Sequence, residues 1–324
     1  MYDTASTAIA ADALHDKRLF KSKHQWRLFV SHIVLVAGGV RDAYLVDGVA
    51  VDAEHAAVLI DGLSCALDCP GALCCMALGD DVVVFRADRL RHKVEHTLQP
   101  SAWFAARPVT VDIDTGVPHV CEDDGRAEAI RACLVASFAG LDLTASAAPF
   151  RVPTTATFAA HVGFPYLAGW LLGYPFVYRA TDTTPNGSSS SSGGRSGSES
   201  SAGGPSASLS MVSLRKVSVR VTLDGYWAAL GVSPAPAVEV WEFTVPTAVL
   251  AAPSSSPPPS CGAIRAPEPS LAEGDRDNRD TYGARLQRWI DATQARLAAL
   301  PSLRVPLGRV EVCCEDVILP SLVV

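Results

Sequence analysis

The stretch that decides the fold is GWLLGYPFVYRA, residues 169–180, the densest run of apolar and aromatic side chains in the chain. A Ser- and Gly-rich segment follows it directly, at residues 181–210, and offers little to a hydrophobic core. The longest apolar run through this region, FPYLAGWLLGYPFVY, has 15 residues and contains Pro165 and Pro175. Because a membrane-spanning helix needs about 20 apolar residues, we interpret residues 169–180 as part of the core.

Within this stretch we predict a helix turn followed by a strand, over residues 169–178. Gly173 permits the abrupt change of direction, because glycine adopts left-handed backbone conformations without steric cost. Pro175 has no backbone N–H, so it fits best at the first residue of a strand or at a sheet edge. The predicted structural motif consists of Gly169, Trp170, Gly173 and Pro175.

Tyr174 and Tyr178 are the candidate binding residues. They lie four positions apart, which would place both side chains on one face of a strand. A buried tyrosine hydroxyl needs a hydrogen-bond partner or a route to water. Two interpretations stay open: the pair belongs to a structural core element, or it lines a groove that binds a peptide or another protein.

The remaining sequence predicts an α+β or mixed α/β domain. Helical spacing of apolar residues occurs at residues 24–37, 52–67, 88–98, 123–141 and 279–300. Strand patterns occur at residues 42–48, 72–87, 107–116, 211–223, 237–246 and 309–320, of which residues 72–87 form a hairpin that turns at 79–81. Since helices and strands do not alternate regularly, we predict one mixed, largely antiparallel sheet with helices packed on it.

The domain organisation follows from two segments of low complexity. They are the Ser- and Gly-rich residues 181–210 and the Pro-rich residues 252–278. Long loops cost little, about 0.6 kcal/mol for each doubling of length, so both fit as insertions into one domain. We therefore predict a flexible N-terminal segment at residues 1–23 and a single domain at residues 24–324.

Composition and charge limit the partners. The net charge is −7 and no basic stripe is present, which argues against nucleic acid. The N-terminus lacks a secretory signal and the cysteine count is odd, at nine, so reduced thiols in the cytoplasm, or in the nucleus, are expected. We expect no membrane partner and no cofactor, and another protein as the partner.

The sequence His92-Lys93-Val94-Glu95-His96 matches H-x-x-E-H, the inverted zinc-peptidase pattern. Histidines four apart share a helix face and can hold one zinc ion, with the glutamate as base. The pattern needs a third ligand from elsewhere in the chain. A solvated helix face is the alternative, because charged residues surround the pair.

Other catalytic patterns are incomplete. Residues 114–116, Asp-Thr-Gly, resemble an aspartic-protease motif, but no second copy exists. A cysteine nucleophile, with Cys69 as the most loop-like candidate, has no marked partner. With no complete catalytic set, we predict a non-enzymatic protein-binding or adaptor domain. The alternative is a hydrolase-type enzyme that uses a metal at His92, Glu95 and His96, or a cysteine nucleophile.

Four sequence blocks carry a family resemblance. They are FVSHIVLVAGGVRDAYLVDG, FPYLAGWLLGYPFVY, VEVWEFTVP and VILPSLVV, at residues 29–48, 164–178, 238–246 and 317–324. In this order they resemble the uncharacterised eukaryotic family that includes the human chromosome 1 open reading frame 74 protein. The family has no established activity, so the resemblance implies no catalytic residues. It implies that residues 169–178 belong to the fold of the whole family.

Overall fold

The computed structural model describes residues 10–15, 18–47, 49–67, 69, 72–78, 80–113, 118–138, 150–151, 162–179, 212–228, 237–252, 281–298 and 310–318. Its helices are α1 (Lys23–Ala37), α2 (Ala53–Ala66), α3 (Ala87–Leu98), α4 (Pro100–Ala106), α5 (Asp124–Phe138), α6 (Gly163–Leu172), α7 (Asp224–Ala228), α8 (Thr247–Ala251) and α9 (Tyr282–Ala298). Its strands are β1 (Ala43–Val46), β2 (Leu73–Leu78), β3 (Asp81–Arg86), β4 (Val109–Asp112), β5 (His119–Val120), β6 (Phe150–Arg151), β7 (Phe176–Arg179), β8 (Ser213–Thr222), β9 (Ala237–Pro246) and β10 (Val310–Ile318). This mixture of helices and mainly antiparallel strands confirms the predicted α+β class.

The described strands form three small sheets, where the sequence analysis expected one. Their strand orders are β1-β3-β2-β6, β5-β4-β7 and β10-β8-β9. The periodicity of a sequence shows which residues are extended, but it carries no information on which strands exchange hydrogen bonds. The sequence pattern therefore predicts the fold class but not the number of sheets.

The first sheet is covered by helices on both faces. Strands β2 and β3 form the predicted antiparallel hairpin, with Cys75 opposite Val84. Side chains alternate between the two faces, so Val84 packs with α1 and α2 while Phe85 packs with α3, α5 and α6. Asp52 caps α2, because its carboxylate accepts a hydrogen bond from the backbone N–H of His55 at 2.8 Å.

The third sheet has β8 at its centre, antiparallel to both β9 and β10. The alternation of buried residues slips once along β8, because Leu214 is buried and Val217, Val219 and Val221 then take up the other phase. A register shift between Val219 and Arg220 marks an irregularity in the β8–β9 pairing. The strand patterns predicted at residues 211–223 and 237–246 are thus antiparallel neighbours.

Residues 169–178 form the predicted helix end and strand. Helix α6 ends at Leu172, and Gly173 has the left-handed φ of 78° that reverses the chain. Strand β7 then runs parallel to β4 in the second sheet. A Cβ atom at Gly169 would lie 2.5 Å from Cγ1 of Val177, so glycine is needed where helix and strand come together.

The described part of the predicted flexible segment contributes to the core. Ala11 and Phe20 are buried, and the ring of Phe20 lies 4.8 Å from that of Trp26. Residues 181–210 lie outside the described residues, as does nearly all of the second predicted insertion at 252–278. In the part of the chain with a described structure, no helix has the length and apolar character required to span a bilayer.

Candidate functional site

A cavity of about 430 Å³ lies where α3, α4 and α9 meet the turn between α6 and β7. Its lining consists of Asp42, Arg89, His92, Lys93, His96, Thr97, Ala102, Trp103, Arg107, Pro108, Trp170, Gly173, Tyr174, Pro175, Arg285 and Trp289. The cavity therefore brings together two groups that the sequence analysis treated separately. One is the motif at residues 170–175, and the other is the histidine pair of α3.

One wall of the cavity is aromatic. Trp103 and Trp170 are buried, whereas Tyr174 and Trp289 are half-buried. The ring of Trp289 meets Phe243 of β9 edge-on at 5.3 Å, and Tyr174 lies 5.5 Å from the same phenylalanine ring. Wide, rigid aromatic surfaces are typical of binding sites, because they provide contact area at a small entropic cost.

Tyr174 lies at the junction of the hydrophobic core. Its side chain packs against each of the three buried clusters of the described structure. Burial raises the pKa of its hydroxyl, an effect that the nearby positive charge of Arg41 opposes. Tyr174 thus lines the cavity and also packs against all three clusters of the core.

Tyr178 is not among the residues that line the cavity. Its hydroxyl donates a hydrogen bond to the carbonyl oxygen of Thr244 at 2.8 Å, which connects β7 to β9. Burial raises the pKa of Tyr178 to about 12. Because Tyr174 lies before the first residue of β7, the two tyrosines do not share a strand face.

Lys93 of α3 connects two sides of the cavity, because it contacts both α6 and Asp42. Its Nζ lies 2.7 Å from the carbonyl oxygen of Trp170, 3.2 Å from that of Leu171 and 3.1 Å from Oδ2 of Asp42. The two carbonyl groups belong to the last turn of α6, where the helix dipole is negative and favours a cation. Lys93 therefore caps α6 and fixes the motif against α3.

Gly173 is required by this arrangement as well as by its φ angle. A Cβ atom at this position would lie 2.9 Å from Oδ2 of Asp42, the oxygen that Lys93 contacts. A larger residue would therefore push the carboxylate away from the lysine. The cavity wall depends on a glycine for two independent reasons.

The basic wall of the cavity consists of Arg89, Arg107 and Arg285, and it shares helix α9 with the aromatic residue Trp289. Arg285 itself is half-buried. Arg285 donates from Nη2 to the carbonyl oxygen of Arg107 at 2.7 Å. Burial lowers the pKa of Arg285, and the positive charges of Arg107 and Arg288 lower it further, although Tyr282 opposes them. Arg107 itself contacts Asp124 at 3.2 Å, but the Asp124 side chain is 79% exposed. This side of the cavity therefore concentrates positive charge away from water.

His92 and His96 both face the cavity from α3, and their ring centroids are 4.2 Å apart. Their spacing is the one that the sequence predicted. Within the described ranges, no group of three or more His, Cys, Asp and Glu side chains is arranged to hold a metal ion. Both rings are exposed, and Glu95 between them is exposed too.

The other catalytic candidates are the Asp-Thr-Gly motif at residues 114–116 and Cys69. The motif lies outside the described residues. Cys69 is half-buried and follows α2. The thiolate is the reactive form of a cysteine, and burial raises the pKa of two other thiols, that of Cys74 and, to about 11, that of Cys75.

Arg285 and Trp289 were not predicted as site residues. Both lie within the helix predicted at residues 279–300. Arg285 lies four positions before Trp289, hence on the same side of the helix. The position of the charged Arg285 next to the apolar face of this helix was the one sequence feature that could have indicated a site.

Comparison with known proteins gives a family and no activity. No curated protein and no solved structure matches the chain. A family model described as "Domain of unknown function (DUF4504)" matches residues 12–255, more than half of the chain. That range includes α3, α4 and α6 of the cavity, while α9 lies beyond it. The chain therefore belongs to the family of this domain of unknown function, DUF4504.

Proposed function

We propose that this protein is a non-enzymatic protein-binding domain, and that a short segment of the partner enters the cavity beside Tyr174. The observation that carries the proposal is the combination of four aromatic and four basic side chains around about 430 Å³. Tryptophan, tyrosine and arginine are the residues most enriched at the centres of protein interfaces. A volume in the range of about 300–1,000 Å³ is typical of ligand pockets, and it accommodates a few side chains.

The test uses a photoreactive amino acid placed on the cavity wall in the full chain. Position 96 is suitable, because His96 is exposed and lines the cavity. Position 58 is the control, because Val58 of α2 is 75% exposed and is not among the lining residues. We expect a partner protein cross-linked in cells at position 96, absent at 58, and lost after Trp289→Ala in a variant shown to be folded. Equal products at both positions would contradict the proposal.

A metal-dependent hydrolase is the second candidate function. The observation in its favour is that the rings of His92 and His96 lie 4.2 Å apart and both line the cavity. Zinc bound stoichiometrically to the purified protein, and lost in His92→Ala/His96→Ala, would support this candidate. Absence of metal together with the cavity-dependent cross-link would support the binding domain.

The remaining features of the proposal come from the sequence. We propose a cytoplasmic protein, with a nuclear location as the alternative, that has no nucleic-acid or membrane partner. The acidic net charge of −7 supports the exclusion of nucleic acid. We also infer, from the blocks at residues 29–48, 164–178, 238–246 and 317–324, that the human chromosome 1 open reading frame 74 protein is a relative.

A further inference from the structure

We propose that the partner segment carries a phosphoserine or phosphothreonine, and that its phosphate group binds to the basic wall of the cavity. This inference rests on the proposed function, since it names the chemistry of the partner at the same site. It is carried by the charges that line the cavity and by the burial of Arg285.

The charges of the lining residues leave a surplus of two guanidinium groups. Asp42 is the one carboxylate among the residues that line the cavity, and Lys93 contacts it at 3.1 Å. Arg107 pairs with Asp124 at 3.2 Å. Arg89 and Arg285 add two further positive charges to the lining. A phosphate ester carries about −1.5 to −2 charges at pH 7, so it matches this surplus better than a single carboxylate does.

Arg285 is the lining cation that gains most from an anion. Its guanidinium donates a hydrogen bond to a neutral acceptor, the carbonyl oxygen of Arg107. Within the described residues Arg285 forms no ion pair, and its nearest charges include Arg107 and Arg288, which repel it. A half-buried cation among like charges is costly, and a bound anion would reverse that cost. The planar guanidinium also presents two N–H groups that match two phosphate oxygens.

The test measures the binding of peptide libraries to the full chain. One library holds a fixed phosphoserine or phosphothreonine between degenerate positions, a second holds Ser or Thr there, and a third holds Glu. Fluorescence anisotropy of labelled libraries reports binding. We expect the phosphorylated library to bind at least about tenfold more tightly than either control, because a desolvated charge pair is worth that much or more.

Three variants locate the phosphate. Arg285→Gln and Arg89→Gln each remove one lining guanidinium, and we expect each to weaken phosphopeptide binding about tenfold or more. Arg91→Gln is the matched control, because Arg91 is exposed on α3 and does not line the cavity. We expect it to leave binding unchanged. Arg89 is itself exposed, so its replacement provides a readout even if Arg285→Gln fails to fold.

The outcomes separate this inference from the proposed function. Equal binding of phosphorylated and unphosphorylated libraries, lost in Trp289→Ala, would overturn the phosphate assignment and leave a protein-binding domain. Binding of inorganic phosphate or of ATP without binding of any peptide library would overturn the proposed function as well. Phosphopeptide binding that survives both Arg285→Gln and Arg89→Gln would place the phosphate elsewhere and overturn the inference.

Discussion

Lys93 lies with its Nζ 2.7 Å from the carbonyl oxygen of Trp170, so one side chain of α3 caps the last turn of α6. The same Nζ is 5.5 Å from the centroid of the Trp170 ring, within the range of a cation–π interaction. In the sequence, Lys93 lies within the H-x-x-E-H pattern, and a metal-site interpretation of that pattern assigns the lysine no role. Its contacts give it a structural role instead.

Replacing Lys93 should destabilise the protein. We expect Lys93→Met to lower the free energy of unfolding by about 2 kcal/mol, because it leaves two helix carbonyls and the half-buried Asp42 without their cation. Urea denaturation followed by circular dichroism measures the change. Arg91→Met on the exposed side of the same helix is the control and should change stability by less than about 0.5 kcal/mol. Equal effects of the two changes would show that the cap contributes nothing.

Replacing Gly173 should have a larger effect than replacing a glycine within a helix. We expect Gly173→Ala to cost about 1–3 kcal/mol, because an alanine is strained at a φ of 78° and its Cβ would meet Asp42. Gly62 of α2 is the control, since a Cβ there makes ordinary contacts with Leu14 at 3.4 Å. Gly62→Ala should be neutral or stabilising by up to about 1 kcal/mol. Thermal unfolding of both variants is the measurement, and a neutral Gly173→Ala would contradict the argument.

The stability of the protein should depend on pH through His32. Burial, with a smaller contribution from the charge of Arg41, lowers the pKa of His32 from 6.5 to about 3. Arg41 donates from Nη1 to Nδ1 of His32 at 2.9 Å, which requires the neutral ring. The unfolded chain therefore binds a proton that the folded chain excludes. This difference lowers stability as the pH falls from about 6.5 toward 3, by up to about 1.4 kcal/mol per pH unit.

The measurement compares urea unfolding of the native chain and of His32→Gln at pH 7.0 and pH 5.0. Glutamine keeps an acceptor for Arg41 but has no proton to gain in this range. We expect the variant to lose less stability than the native chain between the two pH values, whatever its absolute stability. An identical loss in both proteins would mean that His32 does not couple folding to pH.

Cysteine labelling should follow burial. Cys75 is buried, and its pKa is raised to about 11 by burial and by its neighbours Cys74 and Glu54. Cys65 and Cys313 are exposed. At pH 8 iodoacetamide should modify Cys65 and Cys313 first and Cys75 only as the protein unfolds, because the thiolate is the reactive form. Mass spectrometry of a labelling time course with and without urea gives the order. Early modification of Cys75 in the native protein would be inconsistent with its place in β2.

Local features were predicted well from the sequence because neighbouring residues determine them. The β2–β3 hairpin and the helix end at Gly173 each depend on a few consecutive residues. The division into three sheets was not predictable, because the long-range pairing of β4 with β7 leaves no periodic trace. The cavity was missed for the same reason. Its lining comes in part from α3 and α9, which are far apart in the sequence. Lys93 and Arg285 line the same cavity only in the folded chain.

Tyr174 connects the cavity to all three hydrophobic clusters, and this position has a consequence for dynamics. A partner that immobilises the Tyr174 ring would restrain three regions at once, since each cluster has to release that ring in order to open. Amide hydrogen exchange should then slow in β3, in α6 and in β9 together on binding, although only α6 ends at the cavity. Binding at one site would therefore reduce local opening in all three clusters.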